Sequence, residues 1–125
     1  MSERPAAIVA GHGGFAAGIV SAVEQVTGMA GCFVPVTNAG LAPAGIDEAL
    51  RRALAESGAR LIFTDLPAGS CTMAARRLAK EDPGLVVVTG VALPTLLAYA
   101  CGSAVPEAVE SGRKAMQLLE APRAP

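Results

Sequence analysis

His12 is the only histidine in the chain and lies in Ala10-Gly11-His12-Gly13-Gly14-Phe15-Ala16-Ala17-Gly18, directly after an apolar run. Imidazole holds a proton or a phosphoryl group near neutral pH without a large pKa shift, so His12 is a candidate nucleophile. The glycines strip side chains from the backbone beside the ring, and Gly13 and Gly14 give an anion access to backbone N–H groups. A second chemical segment is Asp65-Leu66-Pro67-Ala68-Gly69-Ser70-Cys71. A carboxylate bonded to one imidazole nitrogen fixes the tautomer, leaves the other nitrogen as the nucleophile and stabilises the positive ring formed on modification. Ser70, with the backbone N–H groups around Gly69 and Cys71, opens a helix whose dipole favours an anion. Taken singly, each residue has a plainer reading. A lone histidine is often structural, Asp65 fits a turn after a strand, Ser70 an ordinary helix cap, and Gly13-Gly14 a tight turn. Gly-His-Gly-Gly is no P-loop, because the Lys-Ser/Thr pair is missing.

The elements that must position these residues are legible as apolar runs. Ala6 to Ala10, Cys32 to Val36, Leu61 to Asp65 and Leu85 to Thr89 are almost continuous in aliphatic and aromatic residues. Continuous rather than alternating runs mark strands covered on both faces, as in a parallel sheet. Helical patterns fall between them. Phe15 to Val26 carries Ile19, Val23 and Val26 as a stripe, and Asp47 to Ser57 carries Leu50 and Leu54 before a Gly58 stop. Ser70 reads as the N-cap of a helix over Cys71 to Lys80. Pro94 to Ala100 and Pro106 to Glu120 follow, each with proline at a helix start. The alternation predicts an α/β fold with an open, doubly wound parallel sheet and right-handed crossovers. The flavodoxin-like order 2-1-3-4, with room for an added antiparallel edge strand, puts strands one and three side by side. His12 and Asp65 then project into one crevice at the carboxyl edge of the sheet.

Composition narrows the function. A chain of 125 residues suits one domain, and a net charge of −1 offers no basic footprint for nucleic acid. One tyrosine and no tryptophan leave few surfaces for base stacking. No run approaches the eighteen or so apolar residues of a membrane span, and no signal-peptide core follows Met1-Ser2-Glu3-Arg4-Pro5. Cys32, Cys71 and Cys101 are odd in number and widely spaced, without metal-type pairing, which fits reduced thiols in a cytoplasmic protein. Cys71 reads as a small buried residue, Arg76 and Arg77 as solvated charges, and Thr37-Asn38-Ala39-Gly40 as a rim loop.

Three segments together resemble a known family. Gly11-His12-Gly13-Gly14-Phe15-Ala16-Ala17-Gly18, Phe63-Thr64-Asp65-Leu66-Pro67-Ala68-Gly69-Ser70 and Val88-Thr89-Gly90-Val91-Ala92-Leu93-Pro94 are similar, in that order, to the motifs of the mannose-type enzyme IIA of the sugar phosphotransferase system (PTS). The likeness runs from about Ile8 to Leu119. It implies a single domain over 1–120 with a C-terminal tail over 121–125. It also implies a phosphocarrier in which phospho-HPr donates to His12 on Nε2 and a IIB component accepts, alongside membrane-bound IIC and IID. On this resemblance Asp65 holds the other ring nitrogen and Ser70 donates to the phosphate, while the reading of the residues themselves adds Gly13, Gly14, Gly69 and Cys71 to the phosphate-binding set. No metal or separate cofactor is implied, the location is cytoplasmic and the assembly a homodimer with an exchanged C-terminal strand. The chain departs from the family pattern at Ala68 for glycine, Cys71 for proline, Ala92 for asparagine and Pro67 for a larger residue. Its last predicted helix leaves little chain for an exchanged strand. Two other readings stand beside the carrier: a regulatory protein whose His12 phosphorylation state controls a partner, and a flavodoxin-like small-molecule binding module.

Overall fold

In the computed structural model, residues 4–121 are described. Four strands, β1 (Ala7–Gly11), β2 (Phe33–Thr37), β3 (Leu61–Thr64) and β4 (Val86–Val88), form one sheet in the order β2-β1-β3-β4. Every pairing is parallel, so the predicted α/β class and order hold. No antiparallel edge strand joins the sheet among the described residues. The five helices are α1 (Phe15–Thr27), α2 (Pro43–Ser57), α3 (Ser70–Glu81), α4 (Leu93–Ala100) and α5 (Val105–Ala115).

The apolar runs divide by parity, as a twofold side-chain repeat requires. Ile8, Ala10 and Ile62 face one layer with Ile46 and Leu50 of α2 and Ala74, Ala75 and Leu78 of α3. Ala7, Val9, Leu61 and Phe63 face the other, with Ala16, Val20 and Val23 of α1 and Leu96 of α4. The sheet therefore lies between two helical layers, and its central strands are completely buried. On the second face Phe33, Phe63 and Tyr99 stack edge-on or tilted, with centroids 5.6–6.1 Å apart. Arg4 lies 4.0 Å over the Tyr99 ring and donates to the carbonyls of Tyr99 and Ser103, binding the entering chain to the end of α4.

Several boundaries differ from expectation. The α1 stripe is Ala16, Val20 and Val23, whereas Val26 is 64% exposed because it has rotated off the buried face. Helix α2 begins at Pro43 rather than Asp47, since extended Ala42 delivers the proline to the first turn. Gly69, not Ser70, is the N-cap of α3, and Ser70 is the first helical residue. Helix α5 stops at Ala115, five residues short of Glu120. Beyond it Met116, Leu118 and Leu119 are 88%, 93% and 81% exposed, so continuing the helix gains no burial. The chain there is free of helix rather than committed to it. Of the expected tail, positions 122–125 lie outside the described residues. Cys32, Cys71 and Cys101 are free thiols. No helix among the described residues is long and apolar enough to cross a membrane.

Candidate functional site

Register builds the site. Ala10 pairs with Thr64 across β1 and β3, so the chain leaves both strands at one level and delivers His12 and Asp65 side by side. Asp65 Oδ2 accepts from the His12 backbone N–H at 2.9 Å and sits 2.7 Å from Nδ1 of the same ring. Oδ1 accepts from the Leu66 backbone N–H at 2.9 Å. With a carboxylate as its partner, Nδ1 carries the proton and Nε2 is the ring nitrogen with a free lone pair. The His12 side chain is 48% exposed and that of Asp65 only 8%. Burial by itself raises the Asp65 carboxyl. The ring and backbone hydrogen bonds from His12, its charge and the Leu66 N–H outweigh that and hold the group below its ordinary value.

Two glycines are required by space. A Cβ on Gly69 would come within 2.9 Å of His12 Cε1, and one on Gly11 within 2.7 Å of Phe15 Cδ2 and 3.0 Å of Asp65 Oδ2. The ring therefore rests on the bare Cα of Gly69. Gly13 is required by conformation, with φ of +54° in the turn that carries the chain into α1.

Helices α1 and α3 both begin here. Their N-caps, Gly14 and Gly69, make no side-chain capping bond. First-turn N–H groups, including those of Ser70 and Cys71, are thereby left without intrahelical acceptors at an end that favours anions. Gly13 and Gly14 are exposed beside His12. The Cys71 side chain points the other way, into the core layer with Ala74 and Ile8. Burial first, and the nearby Asp65 charge second, push its thiol pKa up, so only its backbone N–H belongs to the rim. Below the rim, Thr72 Oγ1 bonds Thr64 Oγ1 and the Leu66 carbonyl, each at 2.6 Å, locking the β3–α3 turn.

The structure brings His12, Asp65 and Gly69 into contact, but the hydroxyl of Ser70 meets a residue outside the predicted set. Asn38 Nδ2 donates to Ser70 Oγ at 2.9 Å. The Asn38 backbone N–H donates to the Gly11 carbonyl at 3.3 Å, and Thr37 Oγ1 donates to that of Gly13 at 2.8 Å. The loop after β2 is thus a wall of the site. The signal in the sequence was its position: a polar Thr-Asn pair at the carboxyl end of a strand adjoining β1.

His12 stands on an open rim. A cleft of about 430 Å³ lined by Val88, Thr89, Arg113 and Met116 excludes it. So does one of about 570 Å³ bounded by Val34, Val36 and Arg52.

Comparison with known proteins extends this picture. Structurally the chain is similar to a mannose/sorbose-specific IIA subunit of the phosphotransferase system from Enterococcus faecalis, with TM-score 0.84 and 21% identity over 98% of this chain and 99% of that one. A PTS IIA protein associated with the fucose utilization operon of Streptococcus pneumoniae gives TM-score 0.81 and 20% identity, covering 94% and 96% of the two chains. A phosphotransferase system component EIIA from Streptococcus agalactiae gives 0.70 and 24%, covering 87% and 89%. At these identities the likeness establishes the shared fold. A search of curated proteins found no match. The sequence model of a family described as "PTS system fructose IIA component" matches residues 6–116. Spanning the sheet, both site turns and all five helices, that match shows that the chain belongs to the EIIA-man family of the sugar phosphotransferase system.

Proposed function

We propose that the protein is a phosphocarrier that accepts a phosphoryl group from phospho-HPr on Nε2 of His12 and passes it to a IIB component for sugar uptake. The observation that carries this reading is the 2.7 Å contact between His12 Nδ1 and Asp65 in a chain of the EIIA-man family. In the forward step the P–N bond of the donor breaks and its electron pair returns to the donor imidazole. The Nε2 lone pair forms the new P–N bond, while the Nδ1 proton stays on His12 against Asp65. Positive charge developing on the ring is stabilised by a carboxylate already in place. The phosphoryl oxygens lie toward Gly13, Gly14, the N–H groups of Ser70 and Cys71, and the Ser70 hydroxyl, whereas the Gly69 N–H already donates to the Leu66 carbonyl at 3.3 Å. The open rim favours such a relay over small-molecule binding, because two proteins must reach the same nitrogen in turn.

The test is incubation with phosphoenolpyruvate, enzyme I and HPr, followed by intact mass at neutral pH. An acid-labile phosphate adduct is expected, absent in His12→Gln, and it should pass to a IIB protein on mixing. No adduct, or one that persists in His12→Gln, refutes the reading. An adduct that forms but no IIB protein discharges would instead indicate a regulatory output.

We also propose a homodimer. β4 is an edge strand of the sheet with Val86 47% exposed, and the non-helical segment 116–120 carries three exposed apolar side chains. These are the parts that strand exchange between two copies would bury. Sedimentation at micromolar concentration should give a dimer, and replacing Leu118 and Leu119 by lysine should give a monomer.

A further inference from the structure

Asn38 joins the two halves of the site. Its backbone bonds the end of β1 at the Gly11 carbonyl, and its side chain bonds the start of α3 at Ser70. A hydroxyl has one hydrogen to donate and two lone pairs to accept with. The Asn38 amide occupies a lone pair of Ser70 Oγ, so the hydroxyl hydrogen is turned away from Asn38. Ser70 caps no backbone group of its own helix. It directly follows Gly69, whose Cα carries the His12 ring.

We propose that Asn38 is a positioning residue that acts through Ser70, holding the hydroxyl as a donor toward a phosphoryl group on His12 Nε2. Phosphoryl oxygens only accept, so a hydroxyl that already accepts from Asn38, with its hydrogen turned away from that donor, is matched to them before they arrive. The inference rests on the phosphocarrier reading.

The experiment uses the full chain and potassium phosphoramidate, a small donor that needs no docking partner. Its P–N bond breaks, ammonia leaves, and the Nε2–P bond forms, read as the rate of adduct appearance by intact mass. Asn38→Ala should slow the reaction about three- to tenfold, the range of one ordinary hydrogen bond. Asn38→Asp, isosteric but only able to accept, should draw the Ser70 hydrogen away and be slower than Asn38→Ala. In a Ser70→Ala background, Asn38→Ala should change nothing further. That non-additivity is a readout a merely structural role would not produce. Thermal melts accompany each variant, and if Asn38→Ala melts early the isosteric Asn38→Asp decides. Equal slowing by Asn38→Ala with and without Ser70, or native rates in Asn38→Asp, overturns the proposal while leaving the carrier reading intact. A wild type that takes no phosphate on His12 from phosphoramidate or from phospho-HPr overturns both.

Discussion

Gly69→Ala isolates geometry from stability. The backbone at Gly69 is extended, with φ −77° and ψ 163°, so alanine is compatible with it. Replacing glycine at such a site stabilises by about 0.4–1 kcal/mol through the unfolded chain. The new methyl, however, would sit 2.9 Å from His12 Cε1, 3.3 Å from Leu66 Cγ and 3.5 Å from Asp65 Oδ1. Carbon atoms pack at about 3.5–4.0 Å, so the ring must retreat by roughly 0.6 Å or more. Asp65 cannot follow, because Oδ1 is tied to the Leu66 N–H. A 2.7 Å bond stretched by that amount leaves the range of strong hydrogen bonds. Misplacement approaching 1 Å costs about a hundredfold in rate, so phosphorylation should fall by about ten- to a hundredfold while the melting temperature holds or changes little. Stopped-time mass spectrometry with phospho-HPr and a parallel thermal melt measure the two sides. Native phosphorylation rates in a folded Gly69→Ala protein would refute the reasoning that Gly69 is the floor of the imidazole.

Other outcomes follow from the same contacts. Asp65→Asn keeps shape but removes the charge that stabilises the ring, so phosphorylation should slow by about a hundredfold or more, measured with the same donor. The depressed Asp65 pKa also sets a sign. Its contribution to stability is fully present above the ordinary value of 3.8 and is lost as pH falls through the lower folded value. Acid unfolding followed by circular dichroism should therefore be less steep below pH 3.8 in Asp65→Asn, though not flat. Asp47 and Asp82, held down chiefly by hydrogen bonds from Arg77 and Arg60, still titrate there. In Gly112→Ala the added methyl would fall on the buried Thr95 hydroxyl, where α5 crosses α4. Overpacking of that kind costs about 1–3 kcal/mol, and denaturant melts should show it with phosphorylation of the folded protein unchanged.

The fold was legible because its strands are short, apolar on both faces and separated by helices, a pattern with few topological solutions. Strand order then placed His12 beside Asp65, and the Ala10–Thr64 register bears this out in detail. What escaped the sequence were choices made by tertiary contact. Met116-Gln117-Leu118-Leu119-Glu120 consists of good helix formers, yet no surface lies opposite to reward the helix. Ser70 carries the strongest capping signal, but Gly69 takes the cap and the hydroxyl is claimed by Asn38. That partner lies thirty-two positions away and is delivered by the Gly11–Thr37 register of β1 with β2, which no local pattern encodes.

A single carboxylate oxygen, Asp65 Oδ2, is shared between the backbone and the ring of His12. The imidazole thus has its orientation referenced to the peptide plane that precedes it, like an instrument bolted to its own bench. The ring is thus already oriented by fixed backbone before any partner arrives. On the phosphocarrier reading, little of the barrier to receiving or passing on the group would then go into reshaping the protein.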